Sequence, residues 1–135
     1  MSFFSIEINV RFRDLDAMGH VNNSVYLTYL EEARAALWRA LIGKRGLKEI
    51  NFIVAEITCK YKSPAHYGET LIVNVKLSRI GSKSFDFKYD ILEKTSGRLV
   101  AEANSVQVFY DYKKNKTITI PEHLKPKFEK LLEDK

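Results

Sequence analysis

The chain is poor in the features that would place it outside an ordinary single globular domain. It has one cysteine, Cys59, in 135 residues. One cysteine excludes an internal disulfide and points to a reducing compartment, the cytoplasm. Cys59 lies in the strand-like run "AEITCKYKS" and reads as a buried, unreactive thiol. No run of about 18 apolar residues is present, so no membrane-spanning helix is expected. The start, "MSFFSIEINVRFRD", has neither a basic n-region nor a long apolar stretch, so no leader is expected. There is no GxxxxGK[ST], no GxGxxG, no low-complexity tract and no internal repeat. The three histidines, His20, His66 and His123, are far apart, and no metal site is expected.

Charge of one sign is only in mild excess. Lys and Arg total 22 against 17 acids, a net charge of +5. That balance suits an anionic partner, a nucleic acid or a phosphorylated small molecule. The basic residues are spread along the chain, only "YDYKKNK" is dense, and it reads as a turn, so nothing specific supports nucleic acid. The apolar share of 45% and charged share of 29% fit one globular domain spanning residues 1–135.

Ile6, Ile8, Val10 and Phe12 alternate with Glu7, Asn9, Arg11 and Arg13, which predicts a strand over 5–13. Asp14, Asp16, Gly19 and Asn22 predict a loop over 14–22. Tyr26, Tyr29, Leu30, Ala33, Ala36, Leu37, Ala40 and Leu41 recur at helical spacing and predict a helix over 23–41, capped by Asn22 or Asn23 and stopped at Gly43. Strand-like stretches follow near 51–63, 69–80, 84–94 and 98–111, joined by short turns and hence antiparallel. A short strand near 117–120 and a helix after Pro121, with Pro126 as a bend or restart, close the chain. One helix followed by a run of strands is an α+β pattern. The simplest packing is one antiparallel sheet of five or six strands wrapped around one long central helix. Covering its outer face suggests a homo-oligomer.

"RFRDLDAMGHVNNSVYLTYLEEAR" concentrates ionisable and amide groups at the strand-to-helix junction. A helix N-terminus carries partial positive charge and unpaired N–H groups that can hold an oxyanion. A carboxylate returned to it by the Gly19 turn can act as nucleophile or base, the pairing acyl transfer needs. Asp, Gly and Asn also simply make turns and caps, and the spacing alone names no reaction.

"DLDAMGHVNNSVYLTYLEEAR" resembles the signature of the hotdog-fold acyl-CoA thioesterases of the 4-hydroxybenzoyl-CoA thioesterase-like family, in the subgroup with an HVNN run that also resembles acyl carrier protein thioesterases. "YKSPAHYGETLIV", with Pro64 and Gly68-Glu69, "SRIGSKSFDFKYDI" and "TIPEHL" extend the likeness over nearly the whole chain. The resemblance implies a hotdog fold, hydrolysis of an acyl-CoA or acyl carrier protein thioester, no cofactor beyond substrate coenzyme A, and a homodimer assembling to a homotetramer. It places Asp16 on the catalytic carboxylate and the backbone N–H of Asn23 on the oxyanion site, with the Asn23 side chain read as a cap. Gly19 falls on the turn glycine, and Tyr26 and Glu31 on recurring helix positions. His20 is open between catalysis and loop orientation, and Asn22 between a cap and a water-positioning amide. Glu31 reads either as facing the active site of a partner subunit or, the favoured reading, as a surface partner of Arg34 at i,i+3. Asp14 reads as a loop or capping residue; Glu56 and Asp86 read as solvated. For coenzyme A phosphates, Arg79, Ser82 and Lys83 around "RIGSKS" are the candidates, with a solvated hairpin tip as the alternative. A hotdog dehydratase or hydratase, and an acyl-CoA-binding module without turnover, are the rival functions.

Overall fold

The computed structural model describes residues 4–46 and 52–133. In chain order they form β1 (Phe4–Asn9), a 3-10 turn (Phe12–Asp14), α1 (Asn23–Gly46), β2 (Phe52–Tyr61), β3 (Thr70–Ile80), β4 (Ser84–Glu93), β5 (Leu99–Asp111), β6 (Lys116–Thr117) and α2 (Lys125–Glu133). The strands make one antiparallel sheet ordered β1-β3-β4-β5-β2, with β6 on β5.

Period-two patterning decides which sheet face meets the helix. Leu71, Val73, Val75 and Leu77 of β3, Phe85, Phe87, Tyr89 and Ile91 of β4, and Ala101, Ala103 and Phe109 of β5 are buried on that face. Register aligns them: Val75 faces Tyr89, and Tyr89 faces Ala103. Against this face α1 sets Tyr26, Tyr29, Leu30, Ala33, Leu37 and Trp38. Trp38 meets Phe52, Phe85, Phe109 and α2's Phe128 with ring centroids 5.1–6.5 Å apart, and losing such a ring costs roughly 3–5 kcal/mol. Gly43, at φ +78°, breaks the helical path. Pro126 stands in the first turn of α2, where its missing N–H takes nothing from the helix.

The predicted strand over 5–13 is too long. Pairing with β3 ends at Asn9, because the Asp14 carboxylate draws in the Arg11 N–H at 3.0 Å and closes the 3-10 turn. Phe12, expected inward, is 76% exposed. Ala40 also points outward. Residue 51 of the predicted second strand lies outside the described residues. Lys62 and Ser63 leave that strand by sharing the Val100 carbonyl. The last short strand is Lys116–Thr117, earlier than expected. The outer sheet face is mixed: Asn74, Lys76, Lys88, Asp90, Glu102 and Asn104 share it with half-buried Ile72, Leu92, Val106 and Val108. Exposed apolar side chains sit on β2, at Ile53 and Val54, which pairs on one side only.

Inside the core runs a polar chain without sequence forewarning. Arg34 donates to the Tyr89 hydroxyl at 3.2 Å, Tyr89 bonds Ser105 at 2.5 Å, Ser105 bonds Gln107, and Gln107 donates to the Phe85 carbonyl at 3.0 Å. Every member finds a partner, as buried polar groups must.

Candidate active site

Residues 14–22 fold into a short hairpin. The Asn22 N–H donates to the Asp14 carbonyl at 2.9 Å, Leu15 bridges Val21, and the Asp16 N–H donates to the His20 carbonyl at 2.9 Å. The tip closes when the Gly19 N–H reaches the Asp16 carbonyl at 3.1 Å, and Gly19 sits at φ +86°. That left-handed residue after a tight turn is where glycine carries no Cβ penalty. The hairpin thus returns Asp16 to within two rungs of Asn22, the last residue before α1.

Asp16 is partly exposed. Its Oδ1 accepts the Met18 N–H at 2.8 Å, and its Oδ2 stands 3.6 Å from His20 Nδ1. Asn22 is the cap: its Oδ1 accepts the Ser24 N–H at 3.0 Å and the Ser24 hydroxyl at 2.9 Å. The expectation that the Asn23 side chain caps the helix is corrected, because the cap belongs one residue earlier. Val25 takes the Asn22 carbonyl. Among the described residues, the Asn23 N–H is then the first-turn donor left without an acceptor.

Asn23 lines a pocket of about 230 Å³ together with His20, Tyr26, Tyr61, Lys62, Ser63 and Pro64. Tyr26 is buried, and its hydroxyl accepts the Ala65 N–H at 3.3 Å; burial raises its pKa. Tyr61 donates to the Asn23 carbonyl at 3.2 Å. His20 pairs in backbone register with His66, and the Val21 N–H donates to the Ala65 carbonyl at 2.9 Å. Arg98 fastens this second wall: Nη2 donates to both Glu69 oxygens at 3.0 and 3.1 Å and to the Pro64 carbonyl at 3.0 Å, and Nε donates to Ser63 Oγ at 3.1 Å. Asp16 does not line the pocket itself; it stands behind His20.

Four expected residues lie elsewhere. Glu31 is exposed, beside a separate cavity of about 240 Å³ with Arg34, Trp38 and Phe52. The Glu31–Arg34 pair does not form, since Arg34 turns to Tyr89. Arg79 is held by Asp86 through two bonds of 2.8 and 2.9 Å and by Ser84 at 2.7 Å, so Asp86 is not merely solvated. The Ser82 carbonyl accepts the Ile120 N–H at 2.9 Å, and Lys83 Nζ stands 3.5 Å from Thr117 Oγ1. Arg79, Ser82 and Lys83 gather at the β3–β4 turn, at the opposite end of β3 from the hairpin. A strand of that length spans roughly 35 Å. One chain therefore does not bring them to Asp16.

Tyr61, Arg98 and His66 had no individual signal as site residues; only Pro64 and Glu69 were marked, by resemblance. Their arrival depends on long-range pairing of the 62–69 segment with Val100 and Val21.

An imidazole and the first residue of a helix at one pocket, with a carboxylate 3.6 Å from that imidazole, are the parts of an acyl-transfer site, and a sheet wrapped on a long helix carries them. A family model described as the Thioesterase-like superfamily matches residues 10–128. The chain is 31% identical over 131 residues to the long-chain acyl-CoA thioesterase FadM of Escherichia coli, covering 93% of this chain and 97% of that one. It is 26% identical over 132 residues to the acyl-acyl carrier protein thioesterase ATL3 of Arabidopsis thaliana, 93% and 67% covered. Among solved structures, a thioesterase from Thermus thermophilus complexed with coenzyme A and Zn superposes with a TM-score of 0.85 at 29% identity, over 97% of this chain and 95% of that chain. The chain belongs to the Thioesterase-like superfamily, and it is a thioester hydrolase of the hotdog fold.

Proposed function

We propose that the chain hydrolyses an acyl-CoA thioester to a carboxylate and free coenzyme A at the pocket beside Asn23. The observation that carries this reading is the hairpin, which brings the Asp16 carboxylate and the unpaired Asn23 N–H to one end of α1. The thioester oxygen would accept the Asn23 N–H, where the helix dipole favours the charge that develops. Asp16 would attack the carbonyl carbon, giving an anhydride that water then opens, or would take a proton from the attacking water. Either way the carbon–sulfur bond breaks and the thiolate leaves, taking a proton to become the free thiol. Water and the thioester suffice, so no cofactor is called for.

A second reading follows from the wall of the pocket, which includes His20 and not Asp16. In it His20 is the base and Asp16, 3.6 Å from Nδ1, orients the ring. The reactive unit is a dimer in this proposal, joined through the exposed edge of β2, and the setting is the cytoplasm. Pairing of two such dimers would give the homotetramer.

The test is thiol release from a panel of acyl-CoA thioesters and the same acyl groups on acyl carrier protein. Turnover of at least one CoA thioester is expected. Binding without release of thiol from any of them would leave an acyl-CoA-binding module, and hydration of an enoyl thioester in place of cleavage would make the chain a hydratase. Variants separate the two bases: if His20 is the base, His20→Ala loses about a hundredfold of activity or more and Asp16→Asn loses less; if Asp16 is the base, the order is reversed.

A further inference from the structure

Tyr29 and Asp14 are buried polar groups that the hydrolysis does not use. Asp14 is 3% exposed and Tyr29 1%. The Asp14 Oδ2 accepts the Tyr29 hydroxyl at 2.8 Å and the Arg11 N–H at 3.0 Å, and its Oδ1 accepts Arg11 Nη2 at 3.1 Å. The carbonyl of the same residue accepts the Asn22 N–H. Asp14 therefore joins the exit of β1, the base of the hairpin and the second turn of α1. Tyr29 also meets Tyr26 edge-on, with ring centroids 6.0 Å apart, and Tyr26 walls the pocket. Burial alone would raise the Asp14 pKa; the N–H and guanidinium of Arg11 and the Tyr29 hydroxyl outweigh it and hold the carboxyl below its ordinary value. The bond is thus made to a carboxylate at working pH.

We propose that Tyr29, acting through Asp14, is a positioning residue for hydrolysis: the pair pins the hairpin base to α1 and keeps Asp16 in register with the Asn23 N–H. This inference rests on the reading of Asp16 as the reactive carboxylate. A misplacement of about 1 Å can cost on the order of a hundredfold in rate, and the Tyr29–Asp14 bond is what ties the hairpin base to the helix body.

The test is Tyr29→Phe, which keeps the ring in the core, read by kinetics on the best acyl-CoA substrate and by amide hydrogen exchange. Expected are a fall in kcat of about tenfold or more with KM within about threefold, and exchange at the Asp16 and Gly19 amides at least about tenfold faster, with α1 protection kept. In an Asp16→Asn background the same change should lower the residual rate by less than about twofold, since the group it positions is gone. Asp14→Asn, which leaves an acceptor for the phenol, should retain more kcat than Asp14→Ala. Unchanged kcat and unchanged exchange in Tyr29→Phe overturn the proposal, as does an equal loss in both backgrounds. Full activity in Asp16→Asn alone defeats the reading of Asp16 and this inference with it. Should no thioester be cleaved, the exchange rates still decide whether the clamp holds the hairpin.

Discussion

Replacing Arg98 by alanine removes the fastening of one pocket wall, and the structure sets the size of the effect. Four bonds of 3.0–3.1 Å to Glu69, Pro64 and Ser63 are lost. Charge-assisted bonds in a dry core are worth about 1.5–3 kcal/mol each, but Arg98 is 36% and Glu69 23% exposed, so water screens the pair and its share falls to about 1 kcal/mol. Glu69 keeps the His66 N–H at 2.8 Å and is not orphaned. The bonds to Ser63 and Pro64 add about 1 kcal/mol together. A total near 2 kcal/mol lowers the Tm of a domain this size by about 8 °C. Because Ser63 and Pro64 line the pocket, KM for an acyl-CoA should rise severalfold with kcat less affected. Arg98→Lys should recover the attraction to Glu69 but not the forked contacts, and so fall between. Thermal unfolding by circular dichroism and steady-state kinetics read both effects. A Tm within 2 °C of wild type, with KM unchanged, would refute the assignment of Arg98 as the clamp of this wall.

Two further perturbations probe charge on the sheet. Asp90 faces Glu102 across β4 and β5, and burial first, then the Glu102 charge, raise its pKa. A carboxyl with a raised pKa binds its proton more tightly folded than unfolded, so its charged form opposes folding above that range. Asp90→Asn should therefore raise Tm slightly at pH 7, by the few tenths of a kcal/mol typical of facing like charges, and lose the advantage in acid. Glu93 behaves in the opposite sense. The Ser96 hydroxyl and the N–H groups of Thr95 and Ser96 hold its pKa down at about 2, so its contribution is present above pH ~4.3 and is lost as pH falls through about 2. Glu93→Gln should flatten the acid limb of a stability–pH curve; an unaltered limb would remove Glu93 from the acid response.

Legibility in the sequence followed the range of the interactions. The β-rich composition of the stretches that form β3, β4 and β5 and the helical stripe through Tyr26, Leu30, Ala33 and Leu37 are local patterns, and they read correctly. The strand through Phe12 failed because one buried carboxylate, Asp14, turned the chain where alternation continued. The cap was narrowed to Asn22 or Asn23 with the Asn23 side chain favoured, and geometry chose Asn22, since adjacent asparagines are equivalent in a sequence. The wall of Tyr61, Ser63 and Arg98 beside Pro64 left no local pattern because Arg98 reaches Ser63 from 35 positions away. Arg79 was legible as a cation but not as one already held by Asp86. The polar chain from Arg34 to Gln107 interrupts an otherwise apolar face and leaves no periodic trace.

The most direct measurement is thiol release by Asp16→Asn beside wild type on the best acyl-CoA substrate, with folding checked by circular dichroism. The substitution keeps size and an acceptor for the Met18 N–H and removes the charge. A loss of about a hundredfold or more in kcat, about 2.7 kcal/mol of barrier, is the expected result and would place the reactive carboxylate on the hairpin. Wild-type turnover in a folded Asp16→Asn protein would contradict it, and the hairpin would then be a turn and a cap beside a site whose chemistry lies with other groups.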